Sequence, residues 1–431
     1  MAKRTKKQAR RLRNLVMLCA LCAVVLTVST YAWFIGMKTV NVSTFDIDIA
    51  TTEGLYLSMD GSNWTYQLDA RDEDLAYTGN TNTWAETGLI PMSSVGDMDS
   101  NASRMKLFEK GSLTTTDGGY RLLASRVQNF ATSSDDTSKL MQGKGYVAFD
   151  LFIKNLSGEE YYVENNELNE EAIYLTTNSA VTVAEGGKAN TGIENSVRVG
   201  FTQIGRVIAD DTIDAATITG ITCNGGGDVT GICRNAQIWE PNDTDHVQNA
   251  INWYNKSCYK RATDGDDVTL EASYDLKTKC GTVVNGTANK TYAVSRELLV
   301  DDNVDIYDGA TLNTYAKNSI DYETYKNASN KASYKLVDFP YFTDTMKDLK
   351  GTDRPKFMTL APNSITKLRV YVWIEGQDVD NYDFASLGAK ISVNFGFTKE
   401  RFTGVDVDYD SSNTATLPDD VVGTKSDDAT E

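Results

Sequence analysis

One histidine, His246, and six prolines stand in a chain of 431 residues. With a single imidazole, Ser-His-Asp and Cys-His arrangements have one available base, and a site needing two or three His ligands from one chain is excluded. Zincin chemistry fails for the same reason. HExxH needs two His on one helix face, whereas His246 is followed by Val247-Gln248. Positive charge is also short: 42 Lys+Arg against 60 Asp+Glu give a net charge of −18. That balance argues against a nucleic-acid partner, because such proteins neutralise phosphates with a basic surface. No Walker loop, no strand-GxGxxG-helix unit and no repeat of solenoid length occurs.

The basic residues that do occur are badly segregated. Residues 1–14 carry seven of them, from Lys3 to Arg13, and no acid, leaving 35 bases against 60 acids for the rest. Leu15 to Met37 is then uncharged, and its 23 residues would make a helix of roughly 35 Å, enough to cross a bilayer. Cations on the N-terminal side keep that end inside and deliver the remaining chain outside. An N-terminal hydrophobic helix and an extracellular or cell-surface location are therefore expected. A basic run, an apolar stretch and the small residues Thr30 and Ala32 describe a cleavable signal as well as an anchor. Membrane attachment through residues 15–37 follows if the segment is retained.

Cysteine usage agrees with export. Cys19 and Cys22 lie in the apolar stretch, and the exported part keeps Cys223, Cys233, Cys258 and Cys280. Four cysteines allow three pairings, of which the simplest joins Cys223 to Cys233 across the Gly-rich CNGGGDVTGIC loop and Cys258 to Cys280. The spacings are not those of a zinc ribbon, so disulfides are expected rather than a metal.

Period-two alternation, the mark of strands buried on one face, recurs six times. It runs through Phe45–Ile49, Leu55–Met59, Val147–Ile153, Val197–Phe201, Leu368–Ile374 and Ile391–Phe397, with Asp60-Gly61 as a turn. The fold predicted is all-β, an antiparallel β-sandwich or jelly roll with an inserted or second small domain. Val40 and Val42 share one phase while Phe45, Ile47 and Ile49 hold the other. A donor arm and a bulge both fit that break, and the bulge is the simpler reading. Helical signals are few: Tyr120 to Val127, and a helix capped by Asp243 or Thr244 with Val247, Ala250, Ile251 and Tyr254 on its apolar face and His246 in its first turn.

These signals divide the chain. Residues 1–32 read as signal or anchor, 33–205 as the first part of the sandwich, 206–340 as an insertion or small subdomain holding four Cys, and 341–404 as the closing strands. Residues 405–431 carry eight acids, one Lys and few large apolar groups, so they read as a disordered acidic tail.

The run Ser29-Thr30-Tyr31-Ala32-Trp33-Phe34 resembles the export junction of the TasA and camelysin family, bacterial proteins released by a dedicated signal peptidase, some of which assemble into extracellular biofilm fibres. Leu368 to Asp378, ending in Glu375-Gly376-Gln377-Asp378, and Ile391 to Phe397 are similar to the closing strands of Firmicutes proteins with this kind of signal. The likeness covers about a quarter of the chain. It implies cleavage between Ala32 and Trp33 and a surface or matrix role.

Function is read accordingly as an exported, non-catalytic structural protein of the bacterial surface or extracellular matrix, a fibre subunit if strands exchange between copies. Its partners would be further copies or other surface proteins, with no nucleic acid. The first alternative is an adhesin for glycans or a host surface, using Trp64, Trp84, Trp239, Trp253 or Tyr254 as flat contacts, although Trp239 reads as packing. The second is a hydrolase; the resemblance raises a metallopeptidase and the lone His246 opposes it. A glycosidase needs two carboxylates, and no motif singles out a pair. Glu375 and Asp378 read as acceptors for backbone N–H groups of a tight turn in which Gly376 supplies an unusual backbone angle. No catalytic residue and no cofactor is expected. Calcium is the one ion left open, at Asp264, Asp266 and Asp267 or Asp301, Asp302 and Asp305, which lack the Gly and terminal Glu of an EF-hand and read first as solvated loops.

Overall fold

The computed structural model describes residues 40–49, 54–71, 83–84, 88–109, 132–133, 136–140, 145–263, 282–289, 291–294, 336–382, 384–403 and 406. The protein is mainly β. Its principal strands in the first half are β1 (Asn41–Ile49), β2 (Leu55–Ser58), β3 (Gln67–Asp69), β4 (Val147–Asn155), β5 (Glu171–Leu175), β6 (Ala180–Val183) and β7 (Val197–Ile208). The second half adds β8 (Gln237–Glu240), β9 (Phe342–Thr343), β10 (Met358–Leu360), β11 (Ser364–Glu375) and β12 (Lys390–Thr398). All six strands expected from alternation are present, as β1, β2, β4, β7, β11 and β12.

One six-stranded sheet runs in the order β10-β5-β12-β1-β3, with β6 also on β12. A larger sheet has the path β9-β8-β7-β11-β4-β2, with short strands attached at its sides. Antiparallel pairing dominates but does not hold throughout, which corrects the antiparallel expectation. β1 lies parallel to β12, from Asn41 opposite Lys390 to Ile49 opposite Phe397, and β8 lies parallel to β9. Parallel neighbours need a long connection, and nearly the whole chain separates β1 from β12. The register slips between Val42 and Thr44, so the phase break in the sequence is a bulge.

Burial differs from expectation in the larger sheet. Alternation predicts one wet face, yet β11 is buried at every position. Both of its faces are covered because Tyr146, Tyr371 and Trp373 join one apolar cluster, Phe152, Ile204 and Ile365 another, and Leu368, Val370 and Val372 the main core. The polar residues of the second face are therefore paired inside the protein. Asp150 of β4 stands directly across from Arg369, accepting from its Nε at 2.7 Å and from Lys367 Nζ at 3.3 Å. A buried charge without such a partner would cost several kcal/mol.

The main core draws on both sheets. Phe45 of β1 meets Phe149 of β4 edge to face at 5.5 Å, and Phe201 of β7 meets Phe395 of β12 at 5.0 Å. Part of the 206–340 stretch belongs to this framework, because β8 and the Thr230–Gly231 pair hydrogen-bond to β7. Trp239 in β8 is fully buried, as expected, and its Nε1 donates to Asp344 at 2.8 Å.

Among the described residues the α-helices are α1 (Ala215–Thr219), α2 (Gln248–Thr263) and α3 (Asp344–Lys347). α2 is the helix expected near residue 244, and Ala250 and Ile251 are its buried face, packed with Val247, Tyr254, Val283 and Val379. Its start is corrected. His246 precedes the helix, and Asp243 does not cap it, because its carboxylate accepts from Thr345 N–H at 3.0 Å and Thr345 Oγ1 at 2.8 Å instead. Among the described residues no helix is long and apolar enough to cross a membrane. The apolar segment 15–37 with its Ala32-Trp33 junction, the 120–127 helix, both acidic triplets and the tail beyond Asp406 lie outside the described residues.

Candidate functional site

β11 ends at Glu375, and the turn that follows brings together several residues singled out from the sequence. Glu375 is fully buried. Its carboxylate accepts from Tyr341 Oη at 3.1 Å, Trp373 Nε1 at 3.4 Å and Gln377 N–H at 3.2 Å. Burial pushes this carboxyl up to about 7, against the attraction of Arg198. Gly376 is not in the left-handed region, which corrects the reading of its backbone; its N–H donates to Met92 O at 2.6 Å, so the turn is tied to the Pro91–Ser93 strand.

Arg198 of β7, also fully buried, neutralises the neighbouring acids. Its guanidinium donates to Glu240, to Asp378 Oδ2 at 2.6 Å and to Thr291 Oγ1 at 3.0 Å, and lies 4.9 Å over the Tyr341 ring. Burial nevertheless pushes Glu240 up to about 7. Two residues beyond Asp378, Asp380 holds His246 Nδ1 at 2.6 Å and accepts from Val247 N–H at 3.2 Å. Burial and the nearby Asp378 push Asp380 up to about 6. Burial alone would lower the imidazolium of His246, but the hydrogen bond and charge of Asp380 outweigh it and hold it above its ordinary value. His246, Glu240, Glu375 and Asp380 are all buried. The cluster acts as a clamp that fixes the start of α2 to the loop after β11.

Above that clamp the two elements part and leave a groove of about 360 Å³, at the small end of ligand-pocket sizes. α2 lines it with Asn249, Asn252, Trp253 and Lys256, and the 382–388 segment with Tyr382, Phe384 and Leu387. A third wall comes from Lys188, Asn190 and Thr191. This last wall is pressed against the clamp. A Cβ on Gly192, whose φ is +77°, would lie 2.6 Å from Val247 Cγ2 and 2.7 Å from Asp380 Oδ1, so only glycine fits.

The lining has the chemistry of a surface that takes a ligand with an apolar face and hydroxyls. Trp253 and Phe384 meet edge to face at 5.7 Å and stay 37% and 52% exposed. Tyr382 bonds to the Asn249 side chain, and burial raises its hydroxyl pKa. Asn252 Oδ1 accepts from Gln248, and its amide NH₂ has no partner among the described residues. Thr191 is only 4% exposed, yet its Oγ1 has no hydrogen-bond partner among the described residues. A buried hydroxyl left unpaired costs about 1–3 kcal/mol.

Of the aromatics proposed as contacts, Trp253 lines the groove and Tyr254 does not, being packed in the apolar cluster under α2. Trp64 is partly buried with Lys154 Nζ 4.4 Å over its ring, Trp239 is core, and the Trp84 side chain lies outside the described residues. Cys223 and Cys233 are disulfide-paired, with Cα atoms 4.8 Å apart, beside Ile218 and Ile221. The Cys258 side chain and Cys280 lie outside the described residues. Among the described residues no group of three or more His, Cys, Asp or Glu is placed to hold a metal. Sequence reading missed Thr191, Lys188 and Phe384. It also missed Asn249, Asn252 and Lys256, although with Trp253 they form an i, i+3, i+4, i+7 stripe opposite the apolar face of α2, which a helical-period count would have found. Compared with known proteins, the chain matches no family model, no curated protein and no solved structure.

Proposed function

We propose that this chain is an exported, non-catalytic protein of the bacterial surface or extracellular matrix that holds carbohydrate in the groove between α2 and the 382–388 segment. The observation that carries the reading is a groove walled by an exposed Trp-Phe pair and side-chain amides, with the Asn252 NH₂ unpartnered among the described residues. Sugars offer an apolar ring face to an aromatic and hydroxyls to such polar groups. The non-catalytic part is supported by the burial of the titratable cluster beneath the groove rather than in it. The framework reads as a β-sandwich, since phenylalanines of both sheets meet in one core. Affinity electrophoresis through gels loaded with single polysaccharides tests this. The wild-type chain should be retarded by at least one of them and Trp253→Ala should run freely; free migration of the wild type in every gel overturns the reading.

A second reading, the fibre subunit, is favoured by β1. This strand follows the export segment and lies along the last strand among the described residues, with Phe45 and Ile47 fully buried. A neighbouring copy's β1 can take the same slot. A chain lacking residues 33–44 should then stay monomeric while the exported chain forms filaments, and equal assembly by both sinks the idea.

A further inference from the structure

We propose that the saccharide taken by the groove is anionic, a uronate-bearing chain whose carboxylates face Lys188 and Lys256; this rests on the carbohydrate reading above. The sequence as a whole has 60 acids against 42 bases, but among the described residues the groove's lining inverts that balance, with two lysines and no Asp or Glu. Neither lysine has an ion-pair partner among the described residues, whereas the buried Lys347 and Lys367 are both held by carboxylates. The two ammonium groups come from different walls of the groove, one from the segment before Asn190 and one from α2.

A neutral sugar would leave both charges unanswered, and an isolated anion would leave the aromatic pair uncovered. A pyranose bearing a carboxylate answers both: its ring face covers Trp253, its hydroxyls reach the Asn252 amide, and its charge meets a lysine. Among the described residues the lining has no arginine, so they offer no forked donor geometry of the kind that favours phosphate. An ammonium on a flexible stem suits a carboxylate carried on a sugar ring at varying positions along a polymer.

Isothermal titration of the full chain in mild detergent, with hexagalacturonate, cellohexaose and inorganic phosphate as probes, tests the inference. Hexagalacturonate should bind, weaken as NaCl rises from ~50 to ~500 mM, and lose about tenfold in affinity in Lys188→Gln/Lys256→Gln. Cellohexaose should bind about tenfold more weakly and ignore the lysine changes. Both lysines stand at the surface rim of the groove, and an unchanged circular dichroism spectrum certifies the fold of the variant. Equal affinity for the two sugars, or an unchanged affinity in the double variant, overturns the anionic assignment while the carbohydrate reading stands. Binding of neither sugar overturns both. Displacement of hexagalacturonate by an equal concentration of phosphate overturns the saccharide in favour of a simple anion site.

Discussion

Glu375→Gln isolates the electrostatic cost of the cluster under the groove. The carboxyl of Glu375 is pushed from 4.5 to about 7 because it is fully buried, while in the unfolded chain it ionises near ~4.3. Between those values the folded protein keeps a proton that the unfolded chain has released. The native state therefore binds more protons than the unfolded state across this window, and stability falls as pH rises through it, then levels off above about 7. Raising a carboxyl by that amount corresponds to roughly 3 kcal/mol. The amide keeps the shape but cannot ionise, so the variant escapes the loss. At pH ~4.5 it should be slightly weaker than wild type, by about 1 kcal/mol, because one acceptor for Tyr341 or Trp373 is gone. At pH ~8 it should be the more stable protein, with a swing between the two of roughly 3 kcal/mol. Glu240 and Asp380 act with the same sign, but they remain in both proteins and cancel in the difference. Urea unfolding followed by the fluorescence of the buried Trp239 and Trp373 reads it directly. Parallel stability-versus-pH curves for the two proteins would refute the argument.

Arg198→Met leaves Glu240 and Asp378 facing one another without a cation and should cost about 3–5 kcal/mol, measured as a lower urea midpoint at pH ~7.5. Gly192→Ala forces a methyl against Val247 and Asp380 at a left-handed φ; a loss of about 1–3 kcal/mol is expected, with faster amide exchange at the start of α2, and native-like exchange there would contradict the role given to the clamp. Reducing Cys223–Cys233, a ten-residue separation, should lower stability by roughly 2–3 kcal/mol. Thermal melts of wild type and a Cys223→Ala/Cys233→Ala variant, both without reductant, measure it.

Local pattern was enough wherever a single physical constraint acted along the chain. Alternation placed β1, β4, β7, β11 and β12 because a strand's side chains switch faces at every residue, whatever it pairs with. The bulge at Val42/Thr44 was visible for the same reason, as a change of phase. The helix after residue 247 followed from its period, and the Cys223–Cys233 pairing from a short flexible loop.

Partners were another matter, since a pattern says which face is apolar and not what covers it. The two-sided burial of β11 depends on Tyr146, Phe152 and Ile204 arriving from distant segments, and the parallel run of β1 along β12 depends on strands at opposite ends of the chain. The groove shows the difference most clearly. Trp253 was legible as an aromatic, but Lys188, Thr191, Asn249 and Phe384 belong to three separate segments that meet because His246 and Asp380, 134 positions apart, are clamped together. Composition and local pattern set the elements and the charge imbalance. Folding settled which charges were neutralised in the interior and which two lysines were left facing an open groove, because desolvation and pairing act between residues brought close in space, at separations a linear order does not contain.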